Sequence, residues 1–179
     1  MDTPAHRVTS AYQLDNVQKM KKIEEIKDSI DQIDGNPESK AIYNETNGNQ
    51  EDNSICVLVV DEKPLTQTIR IMLQGLGFAV EIANNGAEAL MKALKKVYDL
   101  VIIEEDLPDS NGAEIAHIIK KMDERTKTIV LTSVDYFTNK NAELYERLDE
   151  LLIKPFTPNE LIETVKKLID YEQIKEINH

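Results

Sequence analysis

From Ser54 onwards the sequence alternates between short apolar runs and segments of helical periodicity, and this alternation restricts the fold more than any other feature. Short aliphatic runs predict strands, and apolar residues at every third or fourth position predict helices packed on a sheet. The strands are predicted at residues 55–60, 78–83, 99–104, 127–132 and 151–153, and the helices at residues 64–76, 86–96, 112–122, 138–148 and 158–172. Strands that alternate with helices pair in parallel through right-handed crossovers. We therefore predict an α/β fold with a doubly wound, five-stranded parallel sheet in the order 2-1-3-4-5.

Acidic residues stand at the ends of the first and third predicted strands. Asp61 and Glu62 follow the first strand, and Glu104 ends the third, whose continuous aliphatic run predicts burial on both faces. Pro108 and Gly112 then take the chain out of the sheet. Sheets of this order bind ligands at the carboxyl ends of their strands, near the point between strands one and three where the order reverses. We expect these acids to meet in one pocket there.

Two further polar side chains are predicted at the same edge, because Thr132 ends the fourth strand and Lys154 follows the fifth. Crowded carboxylates stay ionised only when a cation or a basic side chain offsets their charge. Mg²⁺ suits such a site, since it prefers oxygen ligands, and its candidate ligands are Asp61, Glu62 and Glu104. Lys154 can supply a point charge and Thr132 a hydroxyl donor to a phosphoryl oxygen.

Short motifs lie in order at the ends of these strands. They are Val57-Leu-Val-Val-Asp61-Glu62-Lys-Pro64, Asp99-Leu-Val-Ile-Ile-Glu104, Leu107-Pro108-Asp-Ser-Asn-Gly112, Val130-Leu-Thr132-Ser133 and Lys154-Pro155-Phe156. With these motifs, residues 54–172 resemble the receiver domain of two-component response regulators.

The resemblance implies a flavodoxin-like receiver fold and a cytoplasmic, non-enzymatic protein of phosphorelay signal transduction. It also implies that Asp61 and Glu62 are the acidic pair that helps to bind Mg²⁺. Thr132 matches the hydroxyl residue that senses the phosphoryl group, and Lys154 matches the lysine of the pocket. The Lys154–Pro155 bond is often cis in such domains. Expected partners are a histidine kinase or a downstream signalling protein.

The sequence departs from the family pattern at two positions. Glu104 stands where the family has its phosphoacceptor aspartate, and Leu151 stands where it has its switch aromatic. Glutamate carries one more methylene, and a misplacement of about 1 Å can cost on the order of 100-fold in phosphoryl transfer. We therefore expect an atypical receiver that ordinary aspartyl phosphorylation does not switch. Asp106 could replace the acceptor only through a register shift that Pro108 does not support.

Several alternatives stay open at this level. Glu104 and Lys154 could form a fixed ion pair in a receiver that has lost its chemistry. The pocket could still be phosphorylated in a Mg²⁺-dependent reaction, at Glu104 or Asp106. The expected recognition surface is the face made by residues 138–148, 151–153 and 158–172.

The first 53 residues differ in character from the rest. Residues 1–13 lack apolar periodicity and are predicted to be a loose end, within an amino-terminal unit of residues 1–35. An amphipathic helix is predicted from Leu14 to Ile33, ending at Gly35, with apolar residues Leu14, Val17, Met20, Ile23, Ile26, Ile30 and Ile33. It could pack on its own domain, enter a partner's groove, or pair with a second copy to give a homodimeric structural adaptor. Residues 36–53 are predicted to be a flexible linker, and residues 173–179 a tail.

Composition excludes some classes of function. The chain carries 21 Lys and Arg against 33 Asp and Glu, a net charge of -12, which does not suit nucleic-acid binding. It has one cysteine, Cys56, and no apolar run near the length of a membrane span, so we expect a soluble, cytoplasmic protein without an internal disulfide. No output domain is expected after the receiver.

A few polar residues outside the pocket are not expected to have a chemical function. His117 lies in the third predicted helix without an adjacent acidic or cysteine partner, which favours a structural role over metal binding or phosphohistidine chemistry. Asp109, Glu143 and Glu146 are predicted to lie on solvated faces.

Overall fold

The computed structural model describes residues 4–34, 54–62, 65–133 and 142–169. The strands are β1 (Cys56–Val60), β2 (Ala79–Ala83), β3 (Leu100–Glu104), β4 (Lys127–Ser133) and β5 (Glu150–Lys154). The helices are α1 (Pro4–Asp34), α2 (Leu65–Gly75), α3 (Gly86–Ala93), α4 (Gly112–Met122), α5 (Ala142–Tyr145) and α6 (Pro158–Ile169).

The five strands form one parallel sheet in the order β2-β1-β3-β4-β5, which confirms the predicted topology. Strand β1 lies between β2 and β3, and a helix connects each strand to the next along the chain, as a doubly wound sheet requires. The registers place Val60 beside Ile103, and Glu104 beside Leu131. The strands therefore end together along one carboxyl edge.

Successive residues of each strand face opposite sides of the sheet. The first face is covered by α2 and α6, and its core contains Val57, Val59, Leu100, Ile102, Ile129, Leu131, Ile69, Leu73, Leu161 and Val165. The second face is covered by α3 and α4, with α1 packed on those helices and α5 packed at the edge of the same core. That core contains Leu58, Val60, Val101, Ile103, Val130, Leu90, Ile115 and Ile119. Each strand therefore sends alternate residues into two separate cores.

Helix α1 begins at Pro4, so the prediction of a loose end over residues 1–13 was wrong. Proline is tolerated at the first position of a helix, where its missing N–H has no intrahelical partner to lose. The residues that follow lack apolar periodicity, yet they contain neither glycine nor a second proline to end the helix. The helix ends at Asp34, one residue before the predicted glycine.

The apolar stripe of α1 packs on its own domain, against α3 and α4. Ile23, Ile26 and Ile30 are each no more than 4% exposed and belong to the core of the second face. Val17 and Met20, nearer the start of the helix, are 48% and 55% exposed. Of the roles predicted for this helix, the structure supports packing on its own domain.

Two ion pairs flank that contact. Lys27 Nζ lies 3.4 Å from Glu114 Oε2, and Lys121 Nζ lies 3.2 Å from Asp31 Oδ1. Burial alone lowers the pKa of Lys27, but hydrogen bonds and charges of Glu24 and Glu114 outweigh it and raise the pKa above its usual value. Exposed pairs of this kind contribute little to stability, so the isoleucines account for most of the attachment.

The predicted linker at residues 36–53 and the tail at residues 173–179 lie outside the described residues, as does the predicted start of the helix at residues 138–148. Within the described part of that helix, α5 covers only Ala142–Tyr145 and continues as a turn.

Candidate functional site

The carboxyl ends of β1 and β3 bring two buried acids to neighbouring positions. Val60 pairs with Ile103, so Asp61 and Glu104 are the next residues on the two strands. Asp61 is 2% exposed and Glu104 is 4% exposed. The backbone of Asp61 is held on both sides, since its N–H donates to the Ala83 carbonyl at 3.1 Å and its carbonyl accepts from Thr66 Oγ1 at 3.0 Å. Glu62, the other predicted member of the pair, is exposed.

The loop after β3 closes tightly on the strand end. The Gly112 N–H donates to the Glu105 carbonyl at 2.8 Å, and a Cβ on Gly112 would lie 2.0 Å from the Glu104 carbonyl oxygen. Only glycine allows α4 to begin so close to that backbone. Asp106 is exposed in this loop and forms an isolated antiparallel bridge with Asn111.

Glu104 forms a partly buried ion pair with Lys154. The Lys154 Nζ donates to Glu104 Oε2, and the two side chains are 25% and 5% exposed. Glu104 continues the alternation of Ile102 and therefore lies on the first face, as Lys154 does after Leu152. The Lys154–Pro155 bond is cis, in agreement with the resemblance. A buried carboxylate requires such a partner, because desolvation disfavours its charge.

The next residue, Glu105, forms a second set of buried hydrogen bonds, on the other face of the sheet. It is 1% exposed, and its Oε2 accepts from the hydroxyl of Thr132 while its Oε1 accepts from the phenol of Tyr145. The Glu105 N–H donates to the Leu131 carbonyl at 3.0 Å, so the residue continues the β3–β4 ladder and stands beside Thr132. The hydroxyl expected to face the Glu104 position is therefore bonded to Glu105.

Sequence reasoning missed both Glu105 and Tyr145. The signal for Glu105 was the two-residue alternation of β3, which places it on the face of Val101 and Ile103 together with Thr132. No sequence pattern indicated Tyr145, because it lies 40 residues from Glu105 in the chain. The predicted switch position, Leu151, packs against the same core of the second face as Tyr145.

Asp109 is buried, so the prediction of a solvated position was wrong. It is 5% exposed, and its carboxylate accepts from the N–H groups of Gly86 at 2.9 Å and Ala87 at 3.0 Å. Those donors lie in the first turn of α3, which has no intrahelical acceptor for them. To predict that Asp109 is buried would have required knowledge that α3 begins beside this loop. Glu146 is exposed as predicted, and the side chain of Glu143 is outside the described residues.

His117 lines a groove with residues of α1, α4 and α5, among them Lys27, Asp31 and Leu144. Burial lowers the pKa of its imidazole, and the charges of Lys121 and Arg147 lower it further. These surroundings favour the neutral ring.

The described residues contain no group of three or more His, Cys, Asp and Glu side chains arranged to hold a metal ion. The predicted trio of Asp61, Glu62 and Glu104 is accordingly not gathered around one point. Mg²⁺ commonly takes only one or two carboxylates and keeps several waters, so the buried Asp61 followed by the exposed Glu62 matches that smaller donor set.

Comparison with known proteins links this pocket to a family. A model of the response regulator receiver domain matches residues 57–166. The transcriptional regulatory protein TrcR of Mycobacterium tuberculosis is 34% identical over 116 residues, which cover 64% of this chain and 45% of that protein. The response regulator ArlR of Staphylococcus epidermidis is 32% identical over 121 residues, covering 68% of this chain and 55% of that protein. The chain thus spans about half the length of these curated relatives.

Solved structures show the same fold. The response regulator TrrA of Thermotoga maritima, in complex with Mg(2+)-BeF, is 36% identical with a TM-score of 0.57, covering 64% of this chain and 98% of that chain. A CheY-like receiver domain protein of Methanospirillum hungatei is 26% identical with a TM-score of 0.57, covering 67% of this chain and 98% of that chain. Among the helices that the structure describes, none is both long enough and apolar enough to cross a membrane.

Proposed function

Because the chain belongs to the response regulator receiver domain family, we propose that it is an atypical receiver of phosphorelay signalling, with Glu104 in the place of the phosphoacceptor aspartate. In this proposal it acts by protein–protein recognition and does not depend on ordinary aspartyl phosphorylation. The observation that carries the proposal is the ion pair between Glu104 and Lys154. The lysine that would bind a phosphoryl oxygen is already bound to a carboxylate of the chain itself.

The charge of the pocket supports this view. Glu104 brings about one negative charge where a phosphoryl group carries nearer two, and its longer side chain reaches Lys154 directly. A carboxylate in that pair has its charge offset and its oxygen directed at an ammonium group, so it is poorly placed for in-line attack on phosphorus. Glu104 would thus hold the pocket in one fixed state.

Mg²⁺ remains part of the proposal as a ligand of Asp61 and Glu62. When bound, the ion supplies positive charge that stabilises phosphoryl oxygens. Glu104 could contribute to the ion through Oε1, because Glu104 Oε2 is the oxygen that accepts from Lys154 Nζ. The relative TrrA was solved in complex with Mg(2+)-BeF, which motivates testing both the ion and the phosphoryl analogue on this chain.

The proposed partners are a histidine kinase or a downstream signalling protein in the cytoplasm. The face formed by α5, β5 and α6 is the proposed recognition surface, since α1 covers the neighbouring helices α3 and α4. The net charge of -12 supports a protein partner over a nucleic acid for this chain. Two relatives are named as transcriptional regulatory proteins, but the chain matches only about half of each.

Phosphorylation of a Glu104→Asp variant tests the proposal. The shorter acid should leave Lys154 free to bind a phosphoryl oxygen, so acetyl phosphate and Mg²⁺ should label the variant at least about 100-fold faster than the wild type. A Glu104→Gln variant, which also breaks the ion pair but has no nucleophilic carboxylate, is the matched control and should stay unlabelled. Mass spectrometry of the peptide that contains position 104 measures the label. No gain over the wild type would count against the proposal.

Two other functions make different predictions, one in that assay and one in sedimentation. A receiver still phosphorylated in Mg²⁺-dependent fashion requires label on the wild type, at Glu104 or Asp106. A structural adaptor that dimerises through α1 requires a dimer in sedimentation of the full chain. The packing of Ile23, Ile26 and Ile30 on their own domain weakens the adaptor hypothesis, since those side chains are then not available to a second copy.

A further inference from the structure

We propose that Glu105 is a positioning residue that couples the hydroxyl of Thr132 to helix α5 through the phenol of Tyr145. The inference rests on the proposed function in one respect, because it takes Thr132 as the hydroxyl that responds to the contents of the pocket. It adds a route from that hydroxyl to the recognition surface that does not pass through Leu151.

The coupling follows from how the hydrogen bonds are shared. Thr132 and Tyr145 each have a single hydroxyl proton, and the shortest contact of each hydroxyl is with a different oxygen of the same carboxylate, Oε2 and Oε1. The Ser133 carbonyl oxygen lies farther from Thr132 Oγ1, at 3.3 Å. The Glu105 side chain therefore makes one bond to the end of β4 and one to the end of α5. Bonds from hydroxyls to a buried carboxylate are among the stronger hydrogen bonds in proteins.

The link formed by Thr132, Glu105 and Tyr145 is held more firmly at the backbone of Glu105 than at α5. The backbone of Glu105 is fixed on both sides, by its N–H bond to the Leu131 carbonyl at 3.0 Å and by the Gly112 N–H bond to its carbonyl at 2.8 Å. Within the described part of the chain α5 has four residues, and the turn that follows it is closed by the Leu148 N–H, which donates to the Tyr145 carbonyl at 3.1 Å. A change in the link should therefore move α5 and leave β3 in place.

Tyr145 also stands in for a side chain that the chain lacks. Leu151, at the expected switch position, has no polar group that could respond to Thr132, whereas Tyr145 packs against the same core and does reach the site. Any other acceptor for the Thr132 proton breaks the bond to Glu105, because the hydroxyl has only one proton to donate. A Glu105 side chain that has lost Thr132 is held less firmly, which weakens its bond to the Tyr145 phenol and loosens α5.

Amide hydrogen exchange on the full-length wild type and single variants tests the coupling. Thr132→Val removes the donor at the far end of the link, so exchange of the Leu148 amide should become about threefold to tenfold faster. Thr132→Ser keeps the hydroxyl and should leave that rate within about twofold of the wild type. The Ala89 amide in α3 serves as the internal reference, so that a global loss of stability is separated from a local change.

The reverse direction gives a second measurement that needs no large change in packing. Tyr145→Phe removes one hydroxyl and should shift the amide resonances of Thr132 and Ser133. The matched control is Tyr98→Phe, which removes a phenol bonded to the carboxylate of Glu81 at 3.0 Å and should leave those resonances unchanged. Equal Leu148 exchange in the valine and serine variants, or unmoved Thr132 resonances in Tyr145→Phe, would overturn the coupling.

The outcome is independent of whether the pocket can be phosphorylated. Label on Glu104→Asp together with an unresponsive Leu148 amide would refute only the role of Glu105. Coupling in the exchange experiment together with an unlabelled Glu104→Asp variant would refute only the proposed function.

Discussion

Gly112 is the residue whose replacement should disturb the site most directly. A Cβ at this position would lie 2.0 Å from the Glu104 carbonyl oxygen and 3.1 Å from Glu105 Cα, whereas ordinary contact begins at 3.4 Å. In Gly112→Ala, α4 and the end of β3 must therefore separate by about 1.4 Å, since neither contact atom belongs to a flexible side chain. Overpacking of this kind costs about 3 kcal/mol out of a total stability of roughly 5–15 kcal/mol.

Urea unfolding followed by far-ultraviolet circular dichroism measures this cost. With a slope of about 2 kcal/mol per molar urea, the midpoint of Gly112→Ala should fall by about 1.5 M. The matched control is Gly75→Ala at the end of α2, where a Cβ would meet nothing within 4 Å. That variant should be unchanged or gain up to about 1 kcal/mol from reduced freedom of the unfolded chain. A Gly112→Ala midpoint within about 0.3 M of the wild type would refute the close approach.

Three further predictions concern stability. Ile26→Ala should cost about 2–5 kcal/mol because the side chain is 4% exposed, whereas Met20→Ala, at a position 55% exposed, should stay within about 0.5 kcal/mol; equal urea midpoints would contradict the packing of α1. Asp109→Ala removes the acceptor of two N–H groups of α3 and should cost about 1–2 kcal/mol, whereas Asp106→Ala, at an exposed position, should cost little. Burial raises the pKa of Asp149, but hydrogen bonds from Lys120 and Thr128 outweigh it and lower that pKa below its usual value. The stability this adds is present above the unfolded pKa of about 3.9 and is lost as the pH falls through the lower folded pKa. The difference in the free energy of unfolding between the wild type and Asp149→Asn should therefore be larger at pH 7 than at pH 2. Equal differences at the two pH values would contradict this prediction.

The sheet and the edge that carries the site could be predicted because they depend on local pattern and topology. Five aliphatic runs separated by helical segments permit few arrangements, and the right-handed crossover rule selects among them. Asp61 and Glu104 were therefore predicted at adjacent strand ends, and the observed pairing of Val60 with Ile103 confirms that position. Helix α4 was predicted to the residue, since Gly112 begins it and its apolar face is continuous.

The distribution of contacts within the site could not be predicted in the same way. The family resemblance directed attention to Glu104, but it gave no reason to examine Glu105, which faces the opposite side of the sheet. The burial of Asp109 depends on an N–H group 23 residues away in sequence, and Tyr145 lies 40 residues from the carboxylate it contacts. Such contacts arise from tertiary packing and leave no periodic signal in the chain.

The central claim is that Glu104 occupies Lys154 and so keeps a phosphoryl group out of the pocket. An amide NMR titration of the wild-type chain, first with Mg²⁺ and then with beryllofluoride, tests it most directly. We predict that Mg²⁺ shifts the resonances near Asp61 and that beryllofluoride then adds no saturable shift at Thr132 or Lys154. A saturable beryllofluoride shift at those two residues would contradict it.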